Sequence, residues 1–368
     1  MKVALVHDWL NGMRGGEKVL EVFCDLFPKA DLFTLFYEPA AVSEKIRAMR
    51  PRASGLQKLP GVRRWYRLLL PLYPRAVERF DLSGYDLVIS ISHCAAKGVK
   101  KAPRARHVCY CLTPMRYVWD RYDDYFGHKS RLSAIRLAMD LARKGLQKWD
   151  VKTAAGVDFF IATSEYIAQR IRNCFARESR IIHPPADTVF FTPATVPVKP
   201  GGEYFLVTSA LVPYKKVDIA VEAFRGRKER LIVAGNGPER KRLEAMAPPN
   251  VEFAGWVTDE GMRDLYRNCR AFVFPPEEDF GIAPIEAMAC GRPVIAYGGG
   301  GALETVAGGK TGMFFHRQTP ASLAEALDHF RPDDYDPAAC REQALLFSRE
   351  RCLEGLRSFL MDEVNISC

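Results

Sequence analysis

Ala271-Phe-Val-Phe274-Pro-Pro-Glu277-Glu278-Asp279-Phe280-Gly281-Ile282-Ala283-Pro284-Ile285-Glu286-Ala287-Met288-Ala289-Cys290-Gly291-Arg292-Pro293 is the stretch whose layout decides the fold. An apolar run ends at Phe274. A loop carrying Glu278 follows, then a helix with Pro284 and Glu286 in its first turn, and Gly291 suits the helix end. A short, wholly apolar strand feeding a helix through a polar loop is half of a parallel βα unit. With the loop between them, Glu278 and Glu286 face the carboxyl end of the strand. There carboxylates accept hydrogen bonds from vicinal hydroxyls, such as those of a ribose or a hexose. The amides of Phe280, Gly281 and Ile282 are placed to hold further oxygens. By spacing alone, a solvated pair of acids is the competing reading.

The same rhythm runs outward in both directions. Val3–His7, Asp86–Ile91, His107–Cys111 and Phe159–Ala162 precede it, and Tyr204–Ser209, Arg230–Ala234 and Pro293–Ala296 lie around it. Each is four to six residues long and apolar on both faces, which marks parallel sheets covered on both sides. The fold class expected is α/β, with two Rossmann-like, doubly wound parallel-sheet domains facing an interdomain cleft. Thr192–Gly202, with three prolines and two glycines, reads as the linker. The expected division is an N-terminal domain over 1–195, a C-terminal domain over 203–345, and a helix over 346–368 that packs back toward the N-terminal domain.

At 368 residues the chain exceeds one ordinary domain, and 48% apolar residues suffice for two cores. No apolar run approaches the ~18 residues that span a bilayer. The N-terminus MKVALVHDWL carries charge too early for a signal peptide and reads as a first strand. Ten cysteines without paired spacing read as reduced, buried thiols, and no metal site is indicated. The net charge of +9 is concentrated: between Lys45 and Arg79 ten basic residues face Glu78 alone. Arg63, Arg64, Trp65 and Arg67 sit in that segment, where cations alternate with aromatic and aliphatic groups as at an anionic membrane surface. A solvated basic face and a nucleic-acid patch are the competing readings, and no nucleic-acid module accompanies the segment.

Two loops look shaped for phosphate. After the first strand, Gly12-Met-Arg-Gly15-Gly16-Glu17 opens a helix at about Gly15, where free amides and the helix dipole favour an anion. The spacing is neither that of a dinucleotide fold nor that of a P-loop, and a bare tight turn also explains it. After strand Tyr204–Ser209, Lys215 stands at the carboxyl edge of a parallel sheet, where a cation neutralises a leaving diphosphate. A solvent-facing loop lysine is the alternative.

The segment Glu278–Ile295 resembles the E-x7-E signature of the retaining glycosyltransferases of family 4, which have the GT-B fold. Gly235-Asn-Gly237-Pro238-Glu239, Val251–Trp256, Gly300-Gly301-Ala-Leu-Glu304-Thr and Lys310-Thr-Gly312 resemble its later junctions in order. His7-Asp8-Trp9-Leu10, Ser92-His93-Cys-Ala-Ala-Lys97-Gly98, Thr113–Tyr117 and Pro184-Pro185-Ala-Asp187 are similar to the bacterial O-antigen and exopolysaccharide mannosyltransferase branch. The resemblance covers roughly 1–355. It implies a metal-independent enzyme without a cofactor that transfers a hexose, α-mannose from GDP-mannose, to a lipid-linked or growing glycan. The expected location is cytoplasmic, with the basic segment 45–79 at the inner face of the plasma membrane, and no nucleic-acid partner is expected. Carried across by position, Glu286 is the ribose-binding acid, and Glu278 with the amides of Phe280, Gly281 and Ile282 the hexose-binding end. Lys215 is the diphosphate-binding lysine, and Gly15 and Gly16 close on the phosphate. Read from its place at a strand end, His93 is an acceptor-side residue, with a structural hydrogen bonder as the competing reading, and Glu278, Lys215 and His93 form the expected catalytic set.

Two departures stand out. Ala210 occupies the position where the family often has arginine, and Leu112 stands where the branch usually shows histidine. Leucine cannot donate a hydrogen bond to a sugar hydroxyl, so a non-catalytic paralogue that binds nucleotide or glycan is the alternative. A UDP-sugar transferase and a non-hydrolysing epimerase are the other rivals.

Overall fold

The computed structural model describes residues 1–119, 122, 134–194 and 203–366. Residues 195–202 of the expected linker lie outside them. The chain divides into two compact units, one of Met1–Pro185 with Cys352–Cys368, the other of Ala186–Arg351. The sequence division at 195 therefore shifts: residues 186–194 belong with the second unit. Arg341 draws them there, its guanidinium donating to the carbonyls of Thr188 and Phe191.

Among the described residues the first unit holds a seven-stranded sheet of β1 Val3–Leu10, β2 Asp31–Tyr37, β3 Arg52–Ala53, β4 Leu87–Ser92, β5 Arg106–Cys111, β6 Phe159–Ala162 and β7 Arg180–Ile181. Their order is β3-β2-β1-β4-β5-β6-β7, with every pairing parallel. Both faces are covered, as the apolar strands require. Val3 and Leu5 point into a cluster with Leu20 and Phe23 of helix α1 (Gly15–Leu26). Ala4 and Val6 point the other way, toward Leu69, Leu70 and Tyr73 and toward Met139 and Leu146 of helix α2 (Ala134–Ala154).

Among the described residues the second unit carries six strands, β8 Tyr204–Thr208, β9 Leu231–Ala234, β10 Val251–Gly255, β11 Cys269–Phe274, β12 Val294–Tyr297 and β13 Gly312–Phe315. Their order is β10-β9-β8-β11-β12-β13, again all parallel. Leu206 and Phe272 face a cluster with Tyr266 of helix α3 (Asp259–Asn268) and Ile285 of helix α4 (Ile282–Ala289). From Cys352 onward helix α5 (Arg349–Asp362) belongs to the first unit, and its Cys352, Leu356, Phe359 and Leu360 fill the α1 side of that core.

In both sheets the strand order reverses direction beside the first strand, between β1 and β4 and between β8 and β11. At such a switch point neighbouring loops diverge to opposite faces and leave a crevice at the carboxyl edge, where open α/β folds bind ligands.

The eight strands expected from sequence all occur, with ends moved by at most three residues and Phe159–Ala162 unchanged. β2 was not expected, although Leu32, Phe33, Leu35, Phe36 and Tyr37 are apolar, because no glycine or proline cluster sets it off. Eight of the nine described cysteines are buried.

Candidate functional site

The second unit builds its switch point from β8 and β11. Lys215 ends a single turn, Pro213–Lys215, just after β8. Glu278 lies in the loop after β11, and its Oε1 is 2.5 Å from Lys215 Nζ, with both side chains partly buried. The lysine and the acid that the sequence placed separately on a diphosphate and on a hexose thus form one ion pair.

Glu286 is the fifth residue of α4 and not, as expected, in its first turn, because Gly281 at φ 87° caps the helix and Ile282 begins it. Its Oε2 accepts a hydrogen bond of 3.1 Å from the hydroxyl of Tyr266, which also lies 3.0 Å from Thr208 Oγ1 at the end of β8. Burial, with the Glu286 charge beside it, pushes the Tyr266 phenol well above its ordinary range. It therefore stays a neutral donor that fixes the carboxylate.

Phe280 differs from the rest of its loop. Its ring is buried against Phe347 at 5.6 Å, so only its backbone is available to a ligand. That backbone is pressed on by Gly300 and Gly301. A Cβ on Gly300 would lie 2.3 Å from the Glu278 carbonyl oxygen and one on Gly301 2.4 Å from Phe280 Cα, while the Gly301 amide donates to Glu278 O at 2.9 Å. The two glycines set the height of the Glu278 loop, a role the sequence reading missed although the glycine run was visible. Tyr266 left no comparable signal.

The first unit has its own switch point, between β1 and β4. The carboxylate of Asp8, fully buried, accepts the successive backbone amides of His93, Cys94, Ala95 and Ala96 at 2.6–2.9 Å. His93 Nδ1 lies 3.1 Å from the same carboxylate, and its ring meets Trp9 edge-on at 4.4 Å. Burial alone raises the Asp8 carboxyl, but His93 and these amides more than offset it and hold it at about 2. Asp8 is therefore an ionised anchor that sets His93 at the sheet edge.

Gly15 and Gly16 begin α1 as expected, with Glu17 closing a capping box on the Arg14 amide at 2.9 Å. Beside them His7 directs Nδ1 to the Trp9 carbonyl at 3.1 Å, so Nδ1 carries the proton and the buried Nε2 has no partner. Burial lowers the His7 pKa. Leu112 closes this corner: its Cδ1 is 2.7 Å from where a Cβ on Gly16 would stand.

In the basic segment the apolar residues mostly turn inward. Val62, Tyr66, Leu69, Leu70 and Tyr73 are core residues. Trp65 is partly buried and donates to Pro60 O at 3.2 Å, Arg63 pairs with Glu38 at 2.6 Å, and Arg67 lies over Tyr66. Arg64 is exposed. No helix among the described residues is long and apolar enough to cross a membrane.

Residues 192–346, which carry Lys215, Glu278 and Glu286, match the family described as glycosyl transferases group 1. Among solved structures, Anabaena HepE in complex with UDP superposes with a TM-score of 0.71 at 17% identity over 98% of this chain and 99% of that one. The fold is GT-B. Among curated proteins, an uncharacterized glycosyltransferase of Methanocaldococcus jannaschii is 29% identical over 161 residues, 41% of this chain and 46% of that protein. A GDP-mannose-dependent alpha-(1-6)-phosphatidylinositol dimannoside mannosyltransferase of Mycobacterium tuberculosis is 24% identical over 241 residues, 60% of this chain and 63% of that protein. The chain thus spans less than two thirds of the length of these relatives.

Proposed function

We propose that this GT-B chain is a retaining glycosyltransferase that transfers a hexose, α-mannose from GDP-mannose, to a lipid-linked or growing glycan. The observation that carries the reading is the grouping of Lys215, Glu278 and the Tyr266-fixed Glu286 at the switch point of the second sheet, inside the matched segment. Glu286 binds the ribose hydroxyls. Glu278 and the amides of Gly281 and Ile282 bind the hexose. Lys215 and the first-turn amides of α4 meet the diphosphate as negative charge develops on it. The acceptor hydroxyl forms its bond to the anomeric carbon on the face from which the phosphate oxygen departs, and the leaving phosphate takes the hydroxyl proton. Lys215 supplies the charge a metal would otherwise bring, and the reading assigns none. The mannose donor is supported by the mycobacterial relative's own name. Its rival, a UDP-sugar donor, is supported by the UDP held by HepE.

Calorimetric titration with GDP, UDP, GDP-mannose and UDP-glucose, with and without chelator, on wild type and Glu286→Ala tests this. Guanine-nucleotide binding that ignores chelator and is lost in Glu286→Ala is the expected result. Preference for UDP moves the donor assignment, and no binding by any nucleotide overturns the reading.

One observation favours a non-catalytic nucleotide-binding protein: Leu112 packs on Gly16 where the resembling branch carries histidine. Mannosyl transfer by the wild-type chain removes that alternative.

A further inference from the structure

We infer that the outward face of α2 is a docking surface for an anionic lipid bilayer, with the Tyr66–Leu72 turn beside it. The inference deepens the proposed action on a lipid-linked acceptor and rests on that reading. At 100° per residue Leu137, Leu141, Lys144, Lys148, Val151 and Lys152 fall on one stripe of α2. The opposite side carries the buried Met139 and Leu146. The stripe is exposed: Leu141 keeps 77% of its surface in water and Leu137 59%, and Lys144 and Lys148 pair with no carboxylate among the described residues.

Leucines at one end of a helix face and lysines at four-residue spacing along the rest suit acyl chains and anionic headgroups together. Asp140, at the margin of the stripe, is already held by the Tyr122 hydroxyl and by Arg136. The Tyr66–Leu72 turn packs against α2, shares the core cluster of Met139 and Leu146 through Leu69 and Leu70, and exposes Leu68 and Leu72.

The tertiary structure thereby redistributes the role that the sequence gave to 45–79. Tyr66 and Tyr73 are buried and Trp65 is half turned in, so those aromatics are not insertion anchors. Arg64 and Arg67 contribute charge, and the α2 leucines contribute insertion. A nucleic acid would use the lysines and gain nothing from the leucines. A twofold contact with a second copy would bury the lysines of both stripes, against one another or against the leucines, without a counter-charge.

The test is cosedimentation of the full chain with phosphatidylcholine vesicles, with and without phosphatidylglycerol, at low and high salt. Leu137→Ser/Leu141→Ser and Lys144→Glu/Lys148→Glu alter exposed side chains only, and thermal unfolding verifies that each is folded. Wild type is expected to prefer the anionic vesicles, each double variant to lose about tenfold or more in partitioning, and the leucine variant to lose the binding that survives high salt. Wild-type partitioning by the leucine variant overturns the inference. So does loss confined to Arg63→Glu/Arg64→Glu, a leucine-dependent dimer in light scattering without vesicle binding, or binding to a single-stranded oligonucleotide in place of vesicles. Titration with GDP and UDP on the same variants separates the two readings, since the α2 face takes no part in nucleotide binding. Nucleotide binding without vesicle binding sinks the docking surface alone, and the converse sinks the transferase reading alone.

Discussion

Lys215 Nζ and Glu278 Oε1 stand 2.5 Å apart across the gap between the loops that follow β8 and β11. The pair neutralises in advance the cation that a diphosphate would meet, and a ligand has to share it. Lys215→Ala is expected to weaken nucleoside diphosphate binding about tenfold or more, or ~1.4 kcal/mol. Glu278→Gln frees the lysine and should hold the same nucleotide at least as tightly while losing transfer. Calorimetry on both variants with GDP and UDP decides it, and equal losses would show that the two side chains act only as a structural unit.

Gly16 and Leu112 form a second testable contact. A methyl at Gly16 meets Leu112 Cδ1 at 2.7 Å and His7 Nε2 at 3.3 Å. Gly16→Ala should cost about 1–2 kcal/mol in urea unfolding, and Leu112→Ala should recover part of it. A double-mutant coupling near zero would mean that the chain relaxes without help from that side chain.

Acid should destabilise the first unit in two stages. Burial drives the His107 pKa down to about 3, with Ser90 Oγ 2.8 Å from its Nε2. The unfolded chain therefore binds a proton first, and this contribution is complete above about pH 6.5 and fades as pH falls toward 3. Asp8, held at about 2, adds roughly 2–3 kcal/mol that is present above about pH 4 and fades toward pH 2. Urea midpoints between pH 7 and 4 should fall less steeply in His107→Gln. An unchanged slope would assign the acid sensitivity elsewhere.

Lys97 is buried on three partners of α2: the Asp150 carboxylate at 2.7 Å, the Asp150 carbonyl at 2.6 Å and Thr153 Oγ1 at 2.9 Å. Lys97→Met strands a buried carboxylate and should cost about 3–5 kcal/mol. Lys97→Met/Asp150→Leu should recover much of that, since the stranded charge is the main penalty. Equal instability of both would place the cost in the lost contacts of Lys97 with α2.

The resemblance and the residue patterns were informative about the second unit because its ligand-facing side chains follow directly after apolar strands. Phe274, Glu278 and Gly291 lie where a strand end, a loop and a helix end were expected. Glu286 falls two residues deeper in α4 than expected because the left-handed Gly281, and not Pro284, sets the start of the helix. The first unit was less legible. Asp8 read as one letter of a strand, since nothing local shows that four amides eighty-five and more residues away converge on it.

The sequence by itself determined two doubly wound α/β units, because runs of residues apolar on both faces have no stable place except inside a sheet covered by helices. Only the tertiary structure decided which side chains meet and which apolar groups stay outside. Parallel pairing puts consecutive crossovers at one sheet edge, so Lys215 finds Glu278 and Asp8 finds His93 over separations that no local pattern encodes. Exposure is likewise a property of the assembled core: Tyr66 and Tyr73 were drawn in by neighbours, while Leu137 and Leu141 were left facing water.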